Sequence, residues 1–147
     1  DISMDVAYAI EGDLSAEEFT DVLYRSGLAE RPPVDDAARI AKMVRNADLT
    51  VCARDDTGRL IGVSRCITEF TYCCYCSDLA VDAAWQGRGI GREFLRLSRE
   101  AAGPKTSFLP LSAPPTMSYY RNVGMEKLDN CFGFRRTPSD GKGIQRK

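Results

Sequence analysis

The chain alternates between segments whose hydrophobic positions recur at helical spacing and shorter apolar segments typical of strands. In order, the segments predict the elements β-α-α-β-β-β-α-β-α-β-β. Such a mixed order is typical of an α+β fold in which helices cover both faces of one sheet. We therefore expect an α/β/α three-layer arrangement, with a mixed, mostly antiparallel sheet of about seven strands and four helices.

Turn and cap residues set the expected limits of these elements in the first half of the chain. A capping box at Ser15–Glu18 predicts a helix that ends at Gly27, and Asp35 or Asp36 can cap a second helix. The turn residues 55–58 predict a hairpin between two strands. The strands predicted in this half are Val6–Ile10, Leu49–Arg54, Leu60–Glu69 and Thr71–Val81.

The second half predicts two further helices and three strands. Ile90, Phe94, Leu97 and Ala101 form the apolar stripe of a third helix, and a short fourth helix carries a tyrosine pair. The strands predicted here are Ser107–Ser112, Met125–Leu128 and Cys131–Arg136, and the last two are expected to form a hairpin around Asp129-Asn130. We expect residues 1–136 to form a single domain and the polar residues 137–147 to be disordered.

Composition narrows the classes of function. Of the 147 residues, 44% are hydrophobic, which is enough for one folded core. With 20 Lys and Arg against 21 Asp and Glu, the chain lacks the basic excess of a nucleic-acid binder. No apolar run is long enough to span a membrane, so no membrane partner is expected. Six irregularly spaced cysteines favour a reducing, cytoplasmic location.

The segment most indicative of a binding site is Asp78–Gly91, where an apolar strand end is followed by a glycine-rich loop and an amphipathic helix. Such a loop points backbone N–H groups at a ligand, and the helix N-terminus favours negative charge. The pattern therefore predicts a phosphate site. It does not fit the dinucleotide fingerprint, because Arg92 stands where a third glycine is needed, and it lacks the Gly-Lys-Ser/Thr of a P-loop.

The loop does fit the pattern Gln/Arg-x-x-Gly-x-Gly/Ala, through Gln86, Gly89 and Gly91. Residues 119–125 read Tyr-Tyr-Arg-Asn-Val-Gly-Met, close to an aromatic-Tyr-x-x-x-Gly-Phe signature. In these two motifs and their separation, roughly residues 49–136 resemble the GCN5-related N-acetyltransferase (GNAT) superfamily. The resemblance implies acetyl-CoA as co-substrate and a primary amine, on a small molecule or a peptide, as acceptor.

The same resemblance implies which residues contact coenzyme A. The loop amides of residues 87–92 bind the pyrophosphate, Gln86 orients the loop, and the backbone of Leu79 and Val81 pairs with the pantetheine arm. Arg88 and Arg92 either add positive charge or are simply solvated. The expected contact residues are Leu79, Ala80, Val81, Gln86, Gly87, Arg88, Gly89, Ile90, Gly91 and Arg92.

Two residues are candidates for proton transfer. By the resemblance, Tyr120 is the general acid beside the cofactor sulfur, although a tyrosine there can also be a core residue. Asp78 is a candidate general base, but a cap or an ion-pair partner is an equal interpretation, and Glu69 and Tyr72 are alternatives. The family often has an asparagine seven residues before the late tyrosine, whereas this chain has Ala113.

Three cysteines, Cys73, Cys74 and Cys76, are clustered without the spacing of a metal site, so no metal is expected and buried small side chains are the simplest interpretation. Three functions stay open. The first is an N-acetyltransferase in which the amine attacks acetyl-CoA directly in a ternary complex. The others are a non-catalytic acyl-CoA-binding module and a cysteine-based redox or metal sensor. A homodimer also stays open.

Overall fold

A computed structural model describes residues 5–27, 34–111 and 117–136 of the chain. Its contacts divide the chain into two units, Asp1–Ser112 and Ala113–Lys147. The strands are β1 (Ala7–Ile10), β2 (Leu49–Arg54), β3 (Leu60–Thr68), β4 (Cys73–Val81) and β5 (Ser107–Pro110). The α-helices are α1 (Ala16–Ser26), α2 (Ala37–Arg45), α3 (Ile90–Ala102) and α4 (Met117–Asn122).

The first unit contains one mixed sheet in the order β1-β2-β3-β4-β5. Strands β1 to β4 pair antiparallel with one another, and β5 pairs parallel with β4. A parallel pair needs a crossover connection, and α3 supplies it. The mixed α+β fold and its four helices are therefore confirmed.

The expected cap residues set the limits of the helices. The Ser15 hydroxyl accepts a hydrogen bond of 3.1 Å from the Glu18 amide, and Gly27 ends α1 in the left-handed conformation at φ 86°. Asp36 caps α2. Only half of the predicted capping box forms, because the Glu18 carboxylate accepts hydrogen bonds from Arg54 on β2.

Helices pack on both faces of the sheet in the first unit. Cys52, Val63 and Ala80 are register partners on β2, β3 and β4, and they share a buried cluster with Phe19 and Ile40 of α1 and α2. The next row along the strands faces the other way, towards α3. There the buried Ser64 and Ser98 hydroxyls form a hydrogen bond of 2.8 Å. Period-two alternation thus divides the core into two layers.

The prediction of about seven strands is wrong, because the described residues form five. Residues 125–136 were expected to form a hairpin around Asp129-Asn130, but they contain no strand. Phe132 and Phe134 are 93% and 105% exposed, so the segment buries little apolar surface. A two-stranded hairpin needs such burial to be stable, and Asp-Asn lacks the glycine of the favoured tight turns. The predicted tail, residues 137–147, lies outside the described residues.

Among the described helices, none is long and apolar enough to cross a membrane.

Candidate functional site

Strands β4 and β5 pair along only part of their length. Their register runs from Cys73–Ser107 to Cys76–Pro110, where β5 ends. Strand β4 continues to Val81, and within the described ranges no strand pairs with the outer edge of residues 77–81. This edge presents backbone groups that a ligand can bind as an added strand would.

A β-bulge lies at the point where the two strands part. In the pairing of β3 with β4, Arg65 is opposite Asp78 but Cys66 is opposite Cys76, so Ser77 is the extra residue. Bulges bend a strand and are frequent next to active sites. Asp78 faces away from Leu79, on the side of the sheet opposite to α3.

The backbone of β4 beyond the bulge is oriented to pair with a ligand along the open edge. The Asp82 amide donates a hydrogen bond of 2.8 Å to Ile61 on β3. Because successive residues of a strand point their amides to opposite sides, those of Leu79 and Val81 point to the open edge. The Val81 carbonyl also points to the open edge, where it accepts a hydrogen bond of 2.9 Å from Nε2 of Gln86.

Two residues that the sequence analysis overlooked fix the beginning of the loop. Asp82 caps a short 3₁₀ helix, Ala83–Trp85, by accepting a hydrogen bond of 2.8 Å from the Ala84 amide. The same carboxylate binds Nη1 of Arg25, whose Nη2 donates to the Leu60 carbonyl at 2.7 Å. An aspartate directly after a strand is a typical cap, and that signal was available in the sequence.

The glycines of the loop adopt the conformation that suits glycine. Gly87 and Gly89 have φ of 79° and 83°, in the left-handed region, and Gly89 is the N-cap of α3. It provides no side-chain cap, so the first amides of α3 have no partner within the helix. Ile90 is 3% exposed and anchors the turn in the core. The loop can therefore present amides and a helix N-terminus to an anion.

Charged side chains around this loop favour an anion further. The Arg88 guanidinium lies 4.9 Å from the centroid of the Trp85 ring, a cation–π contact that holds the arginine beside the loop. Arg92 is exposed in the first turn of α3. The one acidic residue in that turn, Glu93, is paired with Arg96, whose hydrogen bond lowers the pKa of Glu93.

Asp78 does not present a free carboxylate. Its Oδ2 accepts a hydrogen bond of 2.6 Å from Nε of Arg65, and both side chains are largely buried. The observed geometry is thus that of an ion-pair partner, one of the two interpretations left open by the sequence. The alternatives Glu69 and Tyr72 lie in the turn before β4, where Glu69 accepts the amides of Tyr72 and Cys73 at 2.8 and 2.7 Å.

The second unit contains the late tyrosine signature. Tyr120 lies in α4, and its ring packs edge-on against Tyr119 with centroids 5.4 Å apart. Gly124 ends the turn at φ 91° and donates a hydrogen bond of 3.0 Å to the Arg121 carbonyl. The glycine of the signature is therefore a helix end. Ala113 lies outside the described residues.

Strand alternation divides the cysteine cluster, so that the interpretation as buried small side chains holds for two of its three members. Cys74 and Cys76 are buried towards α3, whereas Cys73 is exposed, and all six cysteines are free. Burial raises the pKa of Cys74 to about 12, so this thiol is unreactive at neutral pH. No three metal-ligating side chains come together among the residues that the structure describes.

Known proteins share the sequence pattern and the fold of this chain. Residues 46–126 match the model of the Acetyltransferase (GNAT) domain family, and no curated protein matches the sequence. A GNAT-family acetyltransferase from Streptococcus pneumoniae is 14% identical, with a TM-score of 0.70 over 91% of this chain and 98% of that one.

Two further solved structures share the fold. A GNAT-family N-acetyltransferase from Escherichia coli, in complex with CoA, is 19% identical with a TM-score of 0.66, over 86% of this chain and 71% of that chain. A ribosomal-protein-alanine N-acetyltransferase from Brucella melitensis is 17% identical with a TM-score of 0.70, over 90% and 99%. Since the family model covers more than half of the sequence, the chain belongs to the GNAT acetyltransferase family.

Proposed function

We propose that the protein transfers an acetyl group from acetyl-CoA to a primary amine, by direct attack of the amine in a ternary complex. The observation that carries the proposal is the open edge of β4 beyond Cys76, which continues into a loop with two left-handed glycines at the N-terminus of α3. An edge for an amide-bearing arm beside a site for a pyrophosphate fits coenzyme A.

Each part of coenzyme A has a matching part of this site. The amides of residues 87–92 suit the pyrophosphate, and Arg88 and Arg92 add positive charge. The backbone of Leu79 and Val81 suits the two amides of the pantetheine arm, as in strand addition. The solved Escherichia coli structure, which has this fold, contains CoA.

The transfer reaction needs few catalytic groups from the protein. The amine attacks the thioester carbon, the carbonyl oxygen takes up negative charge, and the thiolate leaves as the C–S bond breaks. A thiol has an ordinary pKa near 8.5, so it is a fair leaving group, and a donor helps it further. We assign that donor to Tyr120. Hydrogen-bond donors near the carbonyl oxygen stabilise the charge that develops there.

Removal of the proton from the amine does not require Asp78 as a base. Its carboxylate is paired with Arg65, and proton transfer would have to compete with this contact. An α-amino group has an ordinary pKa near 8 and is partly neutral at pH 7, so water can accept its proton. We therefore keep Asp78 at the site as a residue that supports β4, and treat its use as a base as the alternative.

The acceptor is a small-molecule or peptide amine. The Brucella melitensis protein of this fold acts on an alanine of a ribosomal protein, which makes a peptide terminus a reasonable first acceptor to test. All six cysteines are free thiols, in keeping with a reducing compartment such as the cytoplasm.

Calorimetric titration with acetyl-CoA, followed by an amine panel with product mass as the readout, tests the proposal. We expect binding and an acceptor product heavier by one acetyl group. Peptides with free N-termini, polyamines and aminoglycosides form the panel, and the same peptides with blocked termini are the matched control. Binding without any product would indicate an acyl-CoA-binding module, and absence of binding would refute the proposal.

A further inference from the structure

We propose that Arg65 is a positioning residue for acetyl transfer, because its guanidinium fixes the bulge of β4 at Ser77. The inference rests on the proposed function and assigns a role in it to a residue on the neighbouring strand. Arg65 acts through Ser77 and Asp78 and not by contact with coenzyme A.

The guanidinium holds both residues on one side of the bulge. Nε of Arg65 donates to Oδ2 of Asp78 at 2.6 Å, and Nη2 donates to Oγ of Ser77 at 2.9 Å. The side chains of Arg65 and Asp78 are 8% and 12% exposed, so solvent screens this pair weakly. A planar donor with two fixed directions therefore determines how the extra residue is accommodated.

A second set of contacts holds the bulge on the face towards α3. The Cys76 thiol contacts the Asp78 carbonyl at 3.6 Å, across the extra residue. The Ser64 hydroxyl contacts the same sulfur at 3.7 Å and bonds Ser98 of α3 at 2.8 Å. The bulge is thus held from both faces of the sheet, and the arginine provides the only charged contact among those described.

The bulge lies where the reacting end of the cofactor would be. From Val81 back to Ser77, β4 covers about 13 Å at the usual rise of a strand. A pantetheine arm is about as long as four extended residues, or roughly 13 Å. With the pyrophosphate at residues 87–92 and the arm along Leu79 and Val81, the thioester reaches Ser77. Misplacement of a reacting group by about 1 Å can cost about 100-fold in rate.

A positioning role of Arg65 affects turnover but not the binding of the cofactor. The pyrophosphate loop begins after Asp82 and is held by Arg25 and Gln86, which do not contact Arg65 in any described hydrogen bond. Loss of the guanidinium should therefore lower kcat and leave the affinity for CoA nearly unchanged. A residue that only stabilised the fold would not produce this division.

The test measures kcat with the best amine of the panel and the Kd for CoA in Arg65→Met, Arg65→Lys and Ser77→Ala. We expect Arg65→Met to lower kcat at least 10-fold and to change the Kd less than 3-fold. The milder Arg65→Lys and Ser77→Ala variants, which keep part of the contact, should lower kcat 2- to 5-fold. Arg54→Met is the matched control, since Arg54 pairs with Glu11 and Glu18 away from the bulge, and its kcat should stay within 2-fold.

Asp78→Asn distinguishes positioning from general-base catalysis through the pH profile of kcat. Positioning predicts a lower plateau with the acid limb at the same pH, whereas loss of a base removes that limb and would overturn the assignment.

Folded Arg65 variants with kcat within 2-fold of an active wild-type protein would overturn this inference alone. A wild-type protein that acetylates no amine would overturn the proposed function and this inference with it.

Discussion

The side-chain amide of Gln86 donates a hydrogen bond of 2.9 Å to the carbonyl oxygen of Val81, which ties the glycine-rich loop to the end of β4. The same nitrogen donates to the carbonyl of Ser26 at the end of α1, at 3.3 Å. One exposed side chain thus connects the strand edge, the loop and a helix end. This explains why glutamine suits the first position of the loop motif.

Gln86→Ala should weaken the binding of CoA about 3- to 10-fold, because the loss of its hydrogen bonds to Val81 and Ser26, together worth about 1 kcal/mol, leaves the loop less ordered before it binds. The melting temperature should change little, since Gln86 is exposed. Calorimetric titration measures the affinity. Arg99→Ala, an exposed change in the last turn of α3, is the control. An unchanged Kd in Gln86→Ala would show that the hydrogen bonds of Gln86 are not needed to order the loop.

Gly62→Ala should destabilise the fold by about 1–3 kcal/mol, because the site has no room for a methyl group. A Cβ at Gly62 would lie 2.8 Å from Cε2 of Phe94 and 3.1 Å from the Ala80 carbonyl oxygen. Phe94 is fully buried and cannot move aside cheaply. Urea unfolding measures the loss of stability.

Gly12→Ala is the matched control for that substitution, since nothing lies within 4 Å of a Cβ there. Its free energy of unfolding should stay within about 0.5 kcal/mol of the wild-type value. The double variant Gly62→Ala/Phe94→Leu should recover part of the loss. If Gly62→Ala were as stable as Gly12→Ala, the close packing of α3 on β3 would be refuted.

Thiol labelling of the native protein at pH 7.5 should modify Cys73 and Cys131, the two exposed cysteines, and spare the other four. Burial raises the pKa of Cys52 and Cys74 to about 12, and the hydrogen bond with the Cys76 thiol, together with burial, raises the pKa of Cys66. Mass spectrometry after brief alkylation counts the modified thiols, and unfolded protein is the control. Rapid native labelling of Cys74 or Cys76 would revive the redox-sensor interpretation.

The sequence predicted those parts of the fold in which local signals and burial agree. The hairpin at residues 55–58 forms because Asp55 accepts the amides of Thr57 and Arg59, and Gly58 has φ of 87°. Helix α3 follows its apolar stripe, with Ile90 and Phe94 in the core. Periodicity and turn chemistry are properties of short segments, so a single sequence reveals them.

The errors concern contacts between distant segments. Arg25 and Asp82 are 57 residues apart, and Arg65 and Asp78 are joined only because β3 pairs with β4 around a bulge. The hairpin predicted at residues 125–136 does not form for the same reason, since an alternating segment such as residues 131–136 becomes a strand only if a partner strand is available. Local pattern does not contain that information.

The stability of the protein should fall in acid partly through Glu18, whose pKa is lowered by its hydrogen bond to Arg54. Because the pKa is lower in the folded state, this contribution is complete above the unfolded value, about 4.3, and is lost as the pH falls through the folded value. Glu18 is 43% exposed on its side chain, so the effect is at most about 1 kcal/mol.

Glu18→Gln tests this assignment through urea unfolding between pH 3 and 7. The variant should be less stable than the wild-type protein at pH 7, and the difference should shrink towards pH 3. Glu17→Gln is the control on the same helical turn, where the side chain is exposed. A constant difference across this range would exclude Glu18 as the source.

Tyr120→Phe should lower kcat about 100-fold, because removal of a general acid typically costs 10²- to 10⁴-fold and the thiolate is already a fair leaving group. The Kd for CoA should stay within about 2-fold of the wild-type value, since the assigned role concerns the leaving sulfur. Tyr119→Phe removes the neighbouring hydroxyl of α4 and is the control, with kcat expected near that of the wild-type protein. An acyl donor with a better leaving group, such as an aryl thioester in place of acetyl-CoA, should reduce the effect of Tyr120→Phe. A full rate in Tyr120→Phe with acetyl-CoA would reject the tyrosine as the acid.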